Sequence, residues 1–530
     1  MATYVLSASS PCDLTNEYME KRDIHYISLH YYVDDVDPGK TMKVAIDAML
    51  SSLDPYTNYY PESDIEDVKL QLLGEYGGIG WPVEGHLWWN QRNWGYIRFS
   101  SSEEVTAEYV QYAKELEEFV KKGFSAAVYT QTTDVEGEVN GIMTYDRKVM
   151  KMNEEAVRNA NMAVRMAGSE SELTQSGLDP MKFQDNVNGE RTALYTLTNK
   201  NGMEVCITNF GGRIVSILVP DKDGNKQDVV LGFDNVKDYE NIPSDFGACI
   251  GRYANRICHG QITLDEQTYQ LDTNNFGHTL HGGPTGWQYR VYHAEQTDAH
   301  TLRLSLVSED GDNGFPGRVK AGCIYTLTED NSLRMEYFGK TDKTTVINMT
   351  NHTYFNLTGS GDKDILAHTL WLNAKQMTPV DGTFMTTGEI VDIEEGGAFD
   401  FFTSAKAVGK DIEQQNEQLQ NGHGYDHNWV LLANKGEQLN HVATLYCEET
   451  GIELKVKTSE PGIQVYAGNF LDGTVSGKRG EVYGHRHAIC LETQKFPDTP
   501  NKPAWPSATL RAGEEYKSTT EFCFGVRSKE

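Results

Sequence analysis

Residues 182–530 predict a mainly β fold, and the chain ahead of them predicts a mixed α/β N-terminal region made of incomplete domains. Three observations separate the two. Strand-length alternations follow one another at 193–197, 204–208, 301–307, 322–327 and 453–457, the period-2 pattern of strands with one buried face. Turn dipeptides such as Asp223-Gly224 and Asn313-Gly314 punctuate this half,. Long helical periodicity is almost absent from it, whereas the N-terminal region carries little else. The β half is long enough for two extensively paired sheets.

In the N-terminal region, Met42, Ile46, Met49, Leu50 and Leu53 have helical spacing, and Asp54-Pro55 stops that helix,. A second helix is predicted over 103–122, with Val105, Tyr109, Tyr112, Leu116 and Phe119 on one face and a capping box from Ser101 and Glu104,. A buried strand follows at 124–129, then an amphipathic helix over 147–166. Residues 169–181, beginning "SESELTQSG", are polar and turn-rich and read as a linker.

A chain of 530 residues exceeds what one hydrophobic core usually organises,. Its 77 acidic and 47 basic side chains give a net charge of −30, which argues against nucleic-acid and anionic-membrane partners. Eight cysteines form no CxxC pair or metal-ligand spacing, so reduced, buried thiols are expected and no metal. No secretory signal or membrane-length apolar run is evident, and a cytoplasmic monomer without cofactors is expected.

"YYVDDVDPGKT" (31–41), "AMLSSLDPYTNYYPESD" (48–64) and "LLGEYGGIG" (72–80) resemble the start of C-terminal processing proteases. That family's serine and lysine belong to a part absent here, and the glycine cluster lacks the Lys-Ser/Thr ending of a phosphate loop. "GFSAAVYTQTTDVEGEVNGIMTYDR" (123–147) resembles the last strand of the barrel in β-galactosidase-type glycoside hydrolases. Asp134, Glu136 and Glu138 follow that strand, where structural or solvated acids are expected rather than a catalytic pair. The expected division is 1–80, a helical protease-like fragment; 81–168, a barrel-end fragment; 169–181, the linker; and 182–530, one complete domain. No catalysis is expected of 1–168.

The chemistry is expected of the β half, where six segments place polar groups between apolar runs. "GRYANRI" offers Asn255 and Arg256, "HTLHGG" His281, "INMTNHTYFNLTG" His352, "GYDHNWVLL" Asp426, "GIQVYAGNFLDG" Gln464 and "AICLETQKFPDTPN" Glu492. Singly each has a structural explanation: an ion pair, a satisfied core histidine, a turn cap. Glu492 is the hardest to dismiss, because it follows Ala488-Ile-Cys-Leu and an unpaired carboxylate there is costly,. A Glu–His pair suits proton traffic, with ordinary pKa values of about 4.3 and 6.5 that burial moves towards neutrality.

Together, with "TNFGGRIVSILVPD" (208–221) and "NGFPGRV" (313–319), these segments closely resemble the aldose 1-epimerase family from about Leu178 to Val526. The resemblance implies a galactose mutarotase-like β-supersandwich acting on a free hexose as its small-molecule substrate. It implies Glu492 as general base and His352 as general acid, with Arg256, Asn255, His281, Asp426 and Gln464 holding hydroxyls. Trp287, Tyr354 and Phe470 are candidates to stack on the sugar. Two rivals stay open: a non-catalytic carbohydrate-binding domain, and an epimerase of phosphorylated hexoses, which needs extra cations at its cleft. Three further signals are read as structural. The sequons at Asn348, Asn351 and Asn356 lie in a strand expected to be buried, "DKDGN" (221–225) is a hairpin turn, and His485-Arg486-His487 is a surface loop.

Overall fold

A computed structural model describes residues 71–89, 93–122, 124–167, 173–432 and 438–527. The chain divides into two compact units, Met1–Glu170 and Ser171–Glu530. The helix expected over 39–53 and most of the protease-like segment lie outside the described residues.

In the first unit, Gln71–Gly77 pairs in parallel with Phe124–Thr130, and the helix Ser102–Lys121 begins on Ser101, whose side chain accepts the Glu104 N–H. Val105, Tyr109 and Ala113 pack on Ile79, Tyr129 and Met152. The helix expected over 147–166 is shorter, Glu154–Met166, and Asn153 caps it. Its first turns are lost because the Lys151 ammonium turns inward, 2.8 Å from Asp134 and 2.7 Å from the Val139 carbonyl. Asp134 also accepts the Gly141 N–H, so this acid is structural.

The second unit is built on strands. A nine-stranded sheet runs His293–Gln296, Thr301–Ser308, Val319–Leu327, Ser332–Thr341, Glu515–Val526, Ile452–Thr458, Asn440–Tyr446, Thr369–Leu372, Lys406–Ala407. A six-stranded antiparallel sheet runs Tyr354–Phe355, Ile489–Gln494, Gly462–Tyr466, Asp426–Leu431, Ala374–Thr378, Val391–Asp392. A four-stranded sheet contains Leu194–Thr198, Glu204–Thr208, Arg213–Pro220 and Lys226–Asp228. One core cluster gathers inward residues of all three, among them Leu304, Tyr325, Val456 and Phe522 with Ile463, Val465, Ile489, Leu491, Val205 and Ile217. Each such aliphatic side chain removed from water contributes roughly 2 kcal/mol.

Period-2 alternation sorts the six-stranded sheet. Ile463, Val465, Ile489 and Leu491 point into the core; Gln464, Tyr466, Cys490 and Glu492, their alternates, face the opposite side. Gln464 pairs directly across from Glu492, and Asp426 from Tyr466.

Several expectations change. Residues 174–181 are not a free linker: Leu178 is buried with Phe183, and Gln175 and Ser176 donate backbone N–H groups to Glu204. Trp287 belongs to the core, beneath Gly251. Arg486, expected at the surface, is buried in an ion pair with Glu413, which a buried guanidinium requires. Asn348, Asn351 and Asn356 are buried, and "DKDGN" closes a hairpin in which Asp221 accepts the Asp223 and Asn225 N–H groups. The described cysteines are all free, and five of the seven are buried. Among the described residues no helix is long and apolar enough to cross a membrane.

Candidate active site

A cavity of about 330 Å³ opens on the polar face of the six-stranded sheet. Asn255, Arg256, His281, His352, Asp426 and Glu492 line it, six of the seven residues singled out in the sequence. Gln464 does not line it; its amide donates to Asp426 Oδ1 at 2.7 Å.

At the floor, His352 Nε2 stands 3.5 Å from Glu492 Oε1. Glu492 is only 2% exposed, and its Oε2 has no hydrogen-bond partner among the described residues. Burial pushes the Glu492 carboxyl well above the usual range; the negative charges of Asp426 and Asp245 add to this, and Arg256 opposes it. Burial pushes the His352 imidazole down, against the pull of Asp245. These opposed displacements bring a carboxylic acid and an imidazole towards equal proton affinity. Tyr354 stacks on the His352 ring at 5.0 Å and fixes its plane.

The walls come from the loop around "GRYANRI" and from "HTLHGG". Arg256–Ile257 pairs antiparallel with Thr279–Leu280, bringing Asn255, Arg256 and His281 together. His281 Nδ1 accepts the Asn255 N–H at 3.2 Å; its Nε2 therefore carries the proton and is a donor. Burial drives its pKa to about 3, so the ring is neutral. Asn255 and His281 have φ of 66° and 51°, left-handed conformations held by their surroundings, as at many functional sites. Gly282 at φ +83° passes so close to Gly251 that a Cβ would sit 2.2 Å from its carbonyl oxygen, a backbone approach that only glycine permits.

Arg256 Nε donates to Asn275 Oδ1 at 3.0 Å, and its guanidinium lies 5.0 Å over Phe384. Arg256 is the one Lys or Arg among the described residues lining the cavity. Phe384, Phe276 and Phe470 form an aromatic rim, with Phe276 and Phe470 more than half exposed.

Sequence reasoning missed Asp245, Asn275, Phe384 and Tyr466. Tyr466 was within reach, since a residue two positions after Gln464 shares its face. The other three sit on loops without periodicity, and nothing local distinguishes them.

The sequence model of the aldose 1-epimerase family matches residues 193–523. This chain belongs to that family. It is 40% identical to galactose mutarotase of Rattus norvegicus over 324 residues, 61% of this chain and 92% of the rat protein. It is 37% identical to aldose 1-epimerase of Escherichia coli over 339 residues, covering 63% of this chain and 96% of the bacterial protein. A crystal structure of an aldose epimerase homologue from C. elegans superposes with a TM-score of 0.59 at 32% identity, over 64% of this chain and all of that one. The first unit lies outside the residues matched by the family model, and the N-terminal resemblances gain nothing from these comparisons.

Proposed function

We propose that this aldose 1-epimerase opens and recloses the ring of a free hexose, with Glu492 as general base and His352 as general acid. One observation carries the assignment: the two groups lie 3.5 Å apart at the floor of the cavity. O1 and the ring oxygen of a hexose are bonded to the same carbon, so the base for one and the acid for the other must converge this closely. Glu492 takes the proton of the O1 hydroxyl as His352 gives one to the ring oxygen, and the C1–O5 bond breaks to leave the open-chain aldehyde. Rotation about C1–C2 presents the other carbonyl face. The roles then reverse: O5 returns its proton to His352, and O1 recovers one from Glu492 as the ring closes.

Arg256, Asp426 and the neutral His281 hold hydroxyls, Arg256 and His281 as donors and Asp426 as acceptor. Gln464 acts behind Asp426, fixing its carboxylate, and Asn255 sets the His281 tautomer. The aromatic rim offers apolar faces for the sugar ring. A carbohydrate-binding module has no use for an acid–base pair aimed at one carbon, and one cation is a thin welcome for a phosphorylated sugar. The described residues that line the cavity all fall within 245–492, and residues 1–168 are proposed to take no part in the chemistry.

The test is polarimetry on fresh α-D-galactose and α-D-glucose. Wild-type protein should accelerate the decay of optical rotation and Glu492→Gln should not; equal activity in both removes Glu492 as the base.

A further inference from the structure

Asp245 enters neither the motifs nor the mechanism above, yet it lines the same cavity. One carboxylate oxygen lies within 4.8 Å of a ring nitrogen of both His281 and His352. Its Oδ1 is buried without a hydrogen-bond partner among the described residues, as is His352 Nδ1. An anion so placed is costly unless something holds it there. The fully buried Arg213 does: its guanidinium donates to the carbonyls of Ser244 at 3.0 Å and Phe246 at 3.1 Å, gripping the backbone on both sides of Asp245. The same loop is stitched to the strand of His352, because Gly247 N–H donates to the His352 carbonyl and Ala248 pairs with His352 in register.

We infer that Asp245 is a positioning residue of this reaction, whose carboxylate keeps the proton on the His352 ring while Glu492 stays ionised. The inference rests on the acid–base reading above. The chemical need is plain. A buried carboxylate beside a buried imidazolium can neutralise itself by passing the proton from His352 to Glu492, and that neutral pair can neither accept from O1 nor donate to O5. The Asp245 charge also raises the Glu492 carboxyl, but there it ranks behind Asp426. At His352 it is the leading charge and lies within 4.8 Å of a ring nitrogen, so its larger effect is to hold the proton on the imidazole against the transfer,. His281 cannot take the proton in its place, since its Nδ1 lone pair is engaged by the Asn255 N–H.

The groups facing His352 are Glu492 from the sheet, Asp245 and Arg213 from the loop side, His281 edge-on at 5.2 Å, and the rings of Tyr354 and Tyr466. Of these only Asp245 and Glu492 carry negative charge. Arg213 weakens the effect of Asp245 without cancelling it, and the Asp245 charge favours the protonated ring.

The experiment is Asp245→Asn in the full chain, read by the pH profile of kcat/KM and by NMR titration of the His352 ring. The basic limb, where imidazolium is lost, should move to lower pH, with activity on that side down on the order of tenfold. Asp245→Glu should return the limb towards its original place, and Asp245→Ser carries the same expectation as Asn if the amide variant fails to fold. A uniform loss of rate with both limbs in place would overturn the inference and leave Asp245 a structural residue. If the wild-type chain does not accelerate mutarotation, the reading of the function fails instead. The ring titration still decides the role of Asp245: a downward shift of His352 supports it, and an unmoved one ends it.

Discussion

Two buried carboxylates, one in each unit, look alike in sequence and differ in their company. Asp134 is 4% exposed, with an ammonium 2.8 Å away and a backbone N–H on the same oxygen. Glu492 is 2% exposed, with an imidazole at 3.5 Å and no Lys or Arg ion pair among the described residues. Burial raises the pKa of both, but Lys151 opposes it at Asp134, while further negative charge reinforces it at Glu492. A buried acid paired with an ammonium serves the fold; one without such a partner is free to move a proton,. The arginines of "GRYANRI" repeat the contrast. Arg252 donates to the carbonyls of Pro316 and Gly317 and to Ser308 Oγ, whereas Arg256 turns its guanidinium to the cavity with Asn275 as its hydrogen-bonded companion.

The largest test of this contrast is Glu492→Gln. Turnover should fall by about 10³-fold, the scale of a lost general base. Thermal unfolding should be unchanged or slightly raised, because the neutral amide replaces an under-partnered anion. A marked drop in stability would place Glu492 with Asp134 as a structural acid.

Lys151→Met gives the mirror image. It leaves Asp134 buried beside an apolar chain, and losing one partner of a buried pair costs about 3–5 kcal/mol. The unfolding transition of the first unit should fall accordingly while polarimetry stays at the wild-type rate. Next in size, Arg256→Met should raise KM for galactose by about tenfold to a hundredfold, as expected for hydrogen bonds to a charged donor worth about 1.5–3 kcal/mol. Its effect on thermal stability should be slight; Arg252→Met should reverse the pattern, leaving buried carbonyls unpaired and the protein less stable.

A subtler test is pH. Glu492 must be ionised to accept from O1, so activity is lost as pH falls through its raised pKa, and the acid limb lies above the ordinary carboxylate range,. His352 must be protonated to donate, so activity is lost as pH rises through its lowered pKa, and the basic limb lies below the ordinary imidazole range. A narrow bell in kcat/KM, corrected for buffer catalysis, is expected; limbs at unperturbed Glu and His positions would mean that burial does not displace the two groups in the free enzyme.

Much of the second unit was legible in the sequence because alternation and chemistry coincide there. Ile463, Val465, Ile489 and Leu491 mark the core face, and the intervening Gln464 and Glu492 mark the other. The site residues that escaped, Asp245, Asn275 and Phe384, come from loops whose place is set by distant partners; Asp245 depends on Arg213, an arginine in another strand. The helix start near Arg147 was misplaced for a similar reason, since a buried Lys151–Asp134 pair competes with helical pattern and no window of sequence shows it.

The smallest expected effect is none at all. Every described residue that lines the cavity lies in the second unit, and the rat and bacterial relatives align over 92% and 96% of their own lengths with only 61% and 63% of this chain. Removing residues 1–168 should therefore leave kcat and KM for galactose unchanged. The cut must stop there, because Gln175 and Ser176 bind Glu204 and Leu178 fills the core beside Phe183. Removing residues 1–181 instead should lower the melting temperature, since Glu204 loses three charge-assisted hydrogen bonds, from Gln175 N–H and from the N–H and hydroxyl of Ser176, worth roughly 1.5–3 kcal/mol each. Equal stability of the two truncations would show that 174–181 is a linker after all, and a loss of activity in the shorter deletion would give the first unit a part in the chemistry that its lysine-paired Asp134 does not suggest.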